Sequence, residues 1–432
     1  KTFTATAPTG YTFTGWTISN TGTSSDGTTL SAGSAYALNS DATLTANFSA
    51  NRYSVTYSFA PTSGSAYYDE VYYNGNALTS ATVTINNAYT IKDAYTLLGN
   101  TQFVRYGWTL DEWVFVSATG EYSASWGTTT LSPGNALPVG WYGSVTLRAV
   151  WTHNPYTITY DANGGSFVTS SDATKSYHID DSAFNLLDAS DVTRTGYTFM
   201  GWNVSTSGTD SVNNWTVNNG ATVDYAPGVQ VSGKNGTVTL VAQWDANEYI
   251  ITYDAGAGSF INSSATTQRY TYPNAVTLYN NTNVQRAGYS LVGWNVSTNG
   301  TDSVNNWTVD NGTTVDYTVG AQVSAKYGNV RLVAEWQAEK VNFDVIVYVQ
   351  TEEGDAYSHL GSFSNGTQYD ADETAQISFI QQQIEATLNV NGFEYSRYTT
   401  NKTNNSLVVV GDGSLDVSVY YDYIVYTATV NA

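Results

Sequence analysis

The chain has 432 residues and no cysteine. Disulfide staples, thiolate catalysis and cysteine-ligated metal are thereby excluded, although the compartment is not fixed by that absence. Histidine is nearly absent as well. His153, His178 and His359 fall in different stretches, and neither His-x-His spacing nor Gly-x-Ser-x-Gly occurs. A zinc site or a catalytic triad needs clustering that the sequence does not offer, so no enzyme, cofactor or metal is expected. Positive charge is scarce: Lys and Arg total 15 against 36 Asp and Glu, for a net charge of −21. Nucleic acid needs a basic footprint and is excluded as a partner. No stretch of about 18 apolar residues exists, so no membrane span is expected. The N-terminal Lys1-Thr-Phe-Thr has no apolar leader region, so a secreted protein would be represented here in mature or trimmed form.

What is abundant favours strands and turns. There are 35 Tyr, 12 Trp and 37 Gly, with many Thr and Val. The length exceeds one ordinary core, so several domains are expected.

Self-comparison organises the chain. GYTFMGWNVSTSGTDSVNNWTVNNG…TVTLVAQW, from Gly196 to Trp244, recurs as GYSLVGWNVSTNGTDSVNNWTVDNG…NVRLVAEW, from Gly288 to Trp336. A diverged copy reads GWTLDEW from Gly107 and ends VTLRAVW at Trp151. A partial copy reads GYTFTGW from Gly10 and ends TLTANF at Phe48. Three copies open with alternating strands, YSVTYSF from Tyr53, YTITYDANGG from Tyr156 and YIITYDAGAG from Tyr249. Alternation at period two gives one buried and one exposed face. Asn163-Gly164-Gly165 supplies a turn. A short amphipathic segment, AFNLLDA from Ala183, suggests one or two helical turns. The last unit differs: VNFDVIVYV from Val341 is a strand, and ETAQISFIQQQIEATL from Glu373 to Leu388 is a helix with Ile377, Ile380, Ile384 and Leu388 on one face. Strands around one helix suggest a β-grasp-like α+β module.

The run YTITYDANGG…RTGYTFMGW…YAPG…TVTLVAQW resembles the Listeria–Bacteroides repeat, or internalin B-type repeat, of bacterial surface proteins. TFTATAPTGYTFTGW…TLTANF resembles the divergent version, and the last unit is weakly similar to the mucin-binding-protein type of β-grasp repeat. The resemblance implies β-grasp-like modules along an extracellular stalk and no catalytic residues. The copy at Tyr53 departs most from the pattern, so its hairpins are expected to be rearranged.

Trp16, Trp113, Trp202 and Trp294 recur at one repeat position, and Trp151, Trp244 and Trp336 at another, which points to a core role. Trp215 and Trp307 are better candidates for sugar stacking, with packing the stronger reading. TEEGD at Thr351 and DADE at Asp370 lack the spacing of a calcium loop. Asp370, Asp372 and Glu373 read as acids favoured by a helix dipole. Asn-x-Ser/Thr sequons at Asn47, Asn203, Asn214, Asn235, Asn295, Asn306, Asn365 and Asn401 permit glycosylation. Lys175, Lys234 and Lys326 give little support for isopeptide crosslinks.

Each closing aromatic is followed five residues on by the next opening strand: Phe48 by Tyr53, Trp151 by Tyr156, Trp244 by Tyr249, Trp336 by Val341. The same step from Tyr421 reaches Tyr426, so YTATV sits where YTITY sits. The first unit lacks that opening strand. Two expectations follow. Either the C-terminal strand of one copy, through Tyr426, Ala428 and Val430, completes another copy's first unit at Phe3, Ala5, Leu44, Ala46 and Phe48, or the chain is a window of a longer array.

The expected fold is mainly β with some α+β, as tandem β-grasp-like modules in an elongated rod. The expected boundaries are 1–50, 51–154, 155–246, 247–338 and 339–423, with 424–432 a donor strand. The expected function is a non-enzymatic, extracellular, cell-surface subunit of a head-to-tail filament that pairs with itself. The alternative is a surface adhesin or stalk binding glycans or host proteins.

Overall fold

A computed structural model describes residues 3–19, 27–37, 40–61, 67–119, 130–137, 139–205, 214–217, 222–297, 305–309, 314–352, 356–365 and 368–430. The chain separates into two compact units. One comprises Lys1–Thr193 with Phe199–Gln243, the other Arg194–Thr198 with Trp244–Ala432. The fold is mainly β, and the described residues contain one α-helix, Ile377–Thr387.

Four sheets share one plan. In the stretch 155–246 the order is a return strand Thr174–Tyr177, an opening strand Tyr156–Asp161, a closing strand Val238–Ala246 and a glycine strand Tyr197–Val204. In 247–338 the corresponding strands are Thr267–Thr271, Glu248–Asp254, Val330–Ala338 and Tyr289–Val296. In the last unit they are Tyr357–Ser364, Asp344–Gln350, Asp416–Tyr423 and Phe393–Thr400. In 51–154 they are Thr82–Thr90, Arg52–Ser58, Ser144–His153 and Trp108–Thr119, and this sheet is extended by Phe103–Arg105 and the hairpin Val71–Tyr73/Asn76–Ala77. That added hairpin is where this copy departs from its relatives.

The two hairpins of each unit are antiparallel, and opening and closing strands run parallel between them. The pairs include Val55 with Val145, Ile158 with Val238, Ile251 with Val330 and Val345 with Val417. Parallel neighbours buried on the core face explain why these strands are rich in Val, Ile and Tyr. Val55, Ile158, Ile251 and Val345 are fully buried, as are Leu147, Leu240, Leu332 and Val419.

The second glycine of Gly-Tyr-x-Phe-x-Gly-Trp has a structural reason. A register shift between Phe13 and Gly15, and between Leu291 and Gly293, marks a β-bulge. A Cβ on Gly15 would lie 1.8 Å from the Leu30 carbonyl oxygen, and one on Gly293 would lie 2.3 Å from that of Tyr317. Only glycine admits so close a backbone approach.

Two expectations are corrected here. AFNLLDA is not helical: Phe184–Asn185 is a short strand paired with Gln230–Val231, and the Leu186 amide donates to Val229 O. The backbone groups a helix would use are already committed. The helix of the last unit starts at Ile377 rather than Glu373. Residues 373–375 are extended, because Val409 N donates to Glu373 O and Ala375 N to Leu407 O. Within the helix Ile380 and Ile384 are fully buried, while Ile377 and Leu388 pack at the margin of the same core. Its first turn contains no acid. Asp370, Asp372 and Glu373 are therefore not dipole partners.

The first unit, 1–50, stands apart. Among the described residues its sheet has three strands: Thr43–Ala50, Tyr11–Ser19 and Thr29–Ser31, in that order. The closing strand Thr43–Ala50 forms the sheet edge, with the glycine strand Tyr11–Ser19 on its other side. Residues 3–8 form no strand.

Candidate functional site

Two features repeat or fail to repeat around the chain: the joint between successive units and the edge of the closing strand. The joint is built from the first glycine of each glycine strand. Gly10, Gly107, Gly196 and Gly288 have φ of 80°, 84°, 78° and 74°, a left-handed conformation favouring glycine. The carbonyl of each accepts a hydrogen bond from the linker that follows the closing strand. Asn51 N donates to Gly10 O (2.9 Å), Asn154 N to Gly107 O (2.9 Å), Asn247 N to Gly196 O (2.9 Å) and Glu339 N to Gly288 O (2.8 Å). Three of the linkers are fastened again by side chains: Thr12, Thr109 and Thr198 hydroxyls donate to Asn51, Asn154 and Asn247 Oδ1 at 2.5, 2.6 and 2.6 Å.

Each glycine is then covered by a knob from the next unit. A Cβ at Gly10 would meet Ile91 at 2.8 Å, at Gly107 Ile179 at 2.6 Å, at Gly196 Tyr272 at 2.5 Å, and at Gly288 the Gly411 backbone at 2.5 Å as well as Ala371 at 2.8 Å. Every knob lies two residues beyond a tyrosine: Tyr89, Tyr177, Tyr270 and Tyr369. Three of those tyrosines pair directly with the first residue of the core-facing set in the opening strand, as Tyr53–Tyr89, Tyr156–Tyr177 and Tyr249–Tyr270, while Tyr369 pairs with Val341 in a separate short ladder just before the opening strand. Three are further anchored, with Tyr89, Tyr177 and Tyr270 hydroxyls donating to Gly143, Gly236 and Gly328 O.

Local electrostatics differ among the joints. Beside Gly288, Asp372 accepts from Arg286 (3.2 Å) and from the Tyr289 hydroxyl (2.6 Å), and Asp370 pairs with Lys340 at 3.2 Å. The Tyr289 hydroxyl is pushed up from its ordinary pKa, first by that bond to Asp372. These acids tie strands and linker together. Beside Gly107, His153 and His178 meet with ring centroids 4.1 Å apart, facing Asp180 at 3.3 Å and Asp181 at 3.6 Å respectively. Backbone donation from His178 chiefly holds the Asp181 carboxyl below the usual range. Sequence reading kept these two histidines apart. The signal was the repeat register itself: His153 precedes the linker Asn154, and His178 precedes the knob Ile179. Among the described residues no group of three or more His, Asp or Glu is arranged to hold a metal ion. Glu353–Asp355 of TEEGD lie outside the described residues.

The recurrent tryptophans form the unit cores. Trp113, Trp202 and Trp294 are fully buried, and their indoles donate to Leu98, Leu187 and Tyr279 O, each at 2.8 Å. Trp151, Trp244 and Trp336 are half-buried, with Trp336 donating to Ala255 O at 3.0 Å. Trp215 and Trp307, the candidates for sugar stacking, are each 5 % exposed and donate to the Tyr177 and Tyr270 hydroxyls. Their faces are therefore committed to the protein interior. Residues 206–213 and 298–304 of the adjoining loops lie outside the described residues. Asn235 and Asn365 of the sequons are buried, and Asn365 Oδ1 accepts from Phe343 N, so neither offers a glycosylation site.

The residues expected to form an acceptor are incompletely covered. Leu44, Ala46 and Phe48 on the edge strand are half-buried, Trp16 likewise, and Phe3 is 40 % exposed. Ala5 is half-buried. Tyr426 and Val430 are 82 % and 88 % exposed, Ala428 is exposed, and residues 424–430 form no strand.

Comparison with known proteins gives partial matches. Two proteins of Evansella cellulosilytica align at 27% identity. One, named "Putative membrane protein", matches over 154 residues, which is 36% of this chain and 20% of the relative. The other, named "Putative Gly-rich membrane protein", matches over 117 residues, 27% of this chain and 12% of the relative. The chain thus spans a fifth or less of either relative. Among solved structures, the pilus adhesin SpaC from Lactobacillus rhamnosus GG in its open conformation aligns at 9% identity, covering 88% of this chain and 55% of that one, with a TM-score of 0.18; a likeness that low carries no structural weight. Among described residues, no helix is long and apolar enough to cross a membrane. Family models match three stretches: residues 156–227 and 249–322 match the Listeria-Bacteroides repeat domain, and residues 1–52 match the divergent InlB B-repeat domain, so these stretches are repeats of that family.

Proposed function

We propose that this protein is a non-enzymatic structural component of the cell surface, and that its copies join head to tail by strand addition into a filament. One observation carries the reading. In the four other units the closing strand has a parallel opening-strand neighbour, whereas among the described residues the closing strand Thr43–Ala50 is a sheet edge with a half-buried apolar face. An edge of this kind is a template for another strand.

The sequence 426–430 fits that vacancy by register. Tyr57 lies opposite Leu147, Tyr160 opposite Leu240 and Tyr253 opposite Leu332. The same alignment sets Val430 opposite Leu44 and Ala428 opposite Ala42. The linker geometry agrees: Ile424 N donates to Gly392 O at 3.0 Å, as Asn51 does to Gly10, and Ile424 precedes Tyr426 by two residues as Asn51 precedes Tyr53. Because donor and acceptor are different surfaces of one chain, the contact is heterologous and propagates. A net charge of −21 disfavours lateral clumping of such filaments.

The test is to delete residues 424–432 and follow assembly by sedimentation and electron microscopy. The deletion should leave monomers, and a synthetic 423–432 peptide should bind them and block growth of the intact protein. Unchanged filaments from the deleted chain would overturn the proposal.

A further inference from the structure

The chain enters each of the units 51–154, 155–246, 247–338 and 339–423 through an opening strand and leaves it through a closing strand. These two strands are neighbours in the sheet and run parallel. Val55–Ser58 pairs with Val145–Arg148, Ile158–Asp161 with Val238–Val241, Ile251–Asp254 with Val330–Val333, and Asp344–Val349 with Asp416–Tyr421. The direction of pull on such a pair is set by connectivity. Tension drags the opening strand by its first residue and the closing strand by its last, and in a parallel pair those points lie at opposite ends of the ladder. The strands are therefore loaded in shear, with every ladder bond strained together. In an antiparallel hairpin the two free ends are adjacent, and the same tension peels the bonds one after another.

Further bonds flank the ladder at both ends. At the start, Ser54 N donates to Ser144 Oγ at 3.1 Å and Ile250 N to Asn329 Oδ1 at 2.8 Å. At the far end, Asn163 Nδ2 donates to Ala242 O at 2.9 Å and the Trp336 indole to Ala255 O at 3.0 Å. Arg331 bridges to Asp254 at 2.6 Å across the ladder of 247–338. On the core face Ile158 and Tyr160 lie beside Val238 and Leu240, all buried. Re-pairing one residue out of step would turn one strand's apolar side chains to the solvent face, so the pair has no stable partial slip.

We propose that these four units are tension-bearing clamps, in which load carried along the chain is taken by the parallel ladder in shear. This function goes beyond the head-to-tail reading and does not depend on it, because every bond involved lies inside one chain. Resistance to force is governed by the rate of unfolding under load. That rate falls as more bonds must break together. The ladder of 339–423 has six residue pairs, against four in each of the other three. The last unit is therefore the strongest of the four clamps.

Because the chain has no cysteine, introduced thiols are the only attachment points. Full-length chains are tethered through pairs of thiols to DNA handles and held at constant force. Pro155→Cys with Asp245→Cys loads 155–246 in shear. Asp161→Cys with Asp245→Cys pulls the same two strands apart from one end. These positions are exposed, and circular dichroism of each variant checks that the sheets are intact. At equal force the first pair should survive at least about tenfold longer than the second. Equal lifetimes, or a longer life for the second, would overturn the clamp. Asn342→Cys with Val425→Cys loads the six-pair ladder and should outlast the 155/245 pair. A life no longer than that pair's would contradict the ladder as the element that bears the load. Single tethered chains are read throughout, so either result leaves strand addition between copies untouched.

Discussion

Residues 1–50 and 155–246 are two versions of one unit, and among the described residues the first lacks counterparts of the second's opening and return strands. Both have a bulged glycine strand paired with a closing strand. Only the second has an opening strand parallel to the closing strand. Around that added strand, Trp202 and Leu240 are fully buried, whereas the equivalent Trp16 and Leu44 are half-buried. The comparison associates the sealed core with the opening strand and the return strand paired to it. It also shows that the sealing strand follows the linker of the preceding unit. Joint and core are thus parts of one arrangement, in which each linker delivers a strand and, in three of the four joints, the return strand delivers a knob.

The largest expected difference lies at the tryptophan. Trp202→Ala removes a fully buried indole and its bond to Leu187 O, and should destabilise 155–246 by about 3–5 kcal/mol. Trp16→Ala should cost about half as much or less in the unassembled chain, because that side chain is already half in solvent. Hydrogen exchange resolved by unit separates the two, as a single global unfolding curve cannot in a chain of many modules. Equal losses would mean that the first unit is as well sealed as the second.

The glycines sharpen the comparison at the next scale. Gly107→Ala forces a side chain into a left-handed backbone and against Ile179, and should cost about 2–3 kcal/mol. Gly392→Ala meets only the backbone strain, about 1 kcal/mol, while the chain is monomeric. Equal costs in the monomer would show that Gly392 is already covered.

Alkali probes the sealed units more gently. Burial first of all pushes the Tyr160, Tyr177 and Tyr421 hydroxyls up to about 12. Their unfolded pKa is about 10. A folded pKa above the unfolded one gives stability that is complete below about pH 10 and is lost as the pH rises toward 12. Tyrosinate absorbance should therefore appear in two phases, exposed tyrosines first and buried ones together with loss of β-sheet circular dichroism. A single smooth phase with the sheet intact would place these hydroxyls in solvent.

Much of this arrangement was legible in the residues. The alternation in YTITY and the Gly-Tyr-x-Phe-x-Gly-Trp pattern reflect local rules of pleat and bulge, so they read directly. AFNLLDA did not, because its apolar spacing fits a helix as well as a strand. The deciding facts are distant: pairing with Gln230–Val231, and the Leu187 carbonyl that the Trp202 indole requires. The acids before the last helix misled for a similar reason. Bonds to residues 407–409 keep 373–375 extended and move the helix start beyond them. The knob-on-glycine joints were hidden because knob and socket lie 72 to 83 residues apart in sequence, between Gly107 and Ile179 and between Gly288 and Ala371. Their small residues carry no periodic signal. Once the linker bonds are seen, the spacing from tyrosine to knob is regular enough to place His153 beside His178 and to leave Gly392 uncovered.

Amide hydrogen exchange along Thr43–Ala50 tests the central claim most directly. The monomeric chain lacking 424–432 is measured alone and with a synthetic peptide of residues 423–432. Strand addition predicts fast exchange on the open edge of this strand and strong protection when peptide is present, while 238–246 is slow in both. Protection already complete without peptide, or unchanged by saturating peptide, would contradict an open acceptor edge in the first unit.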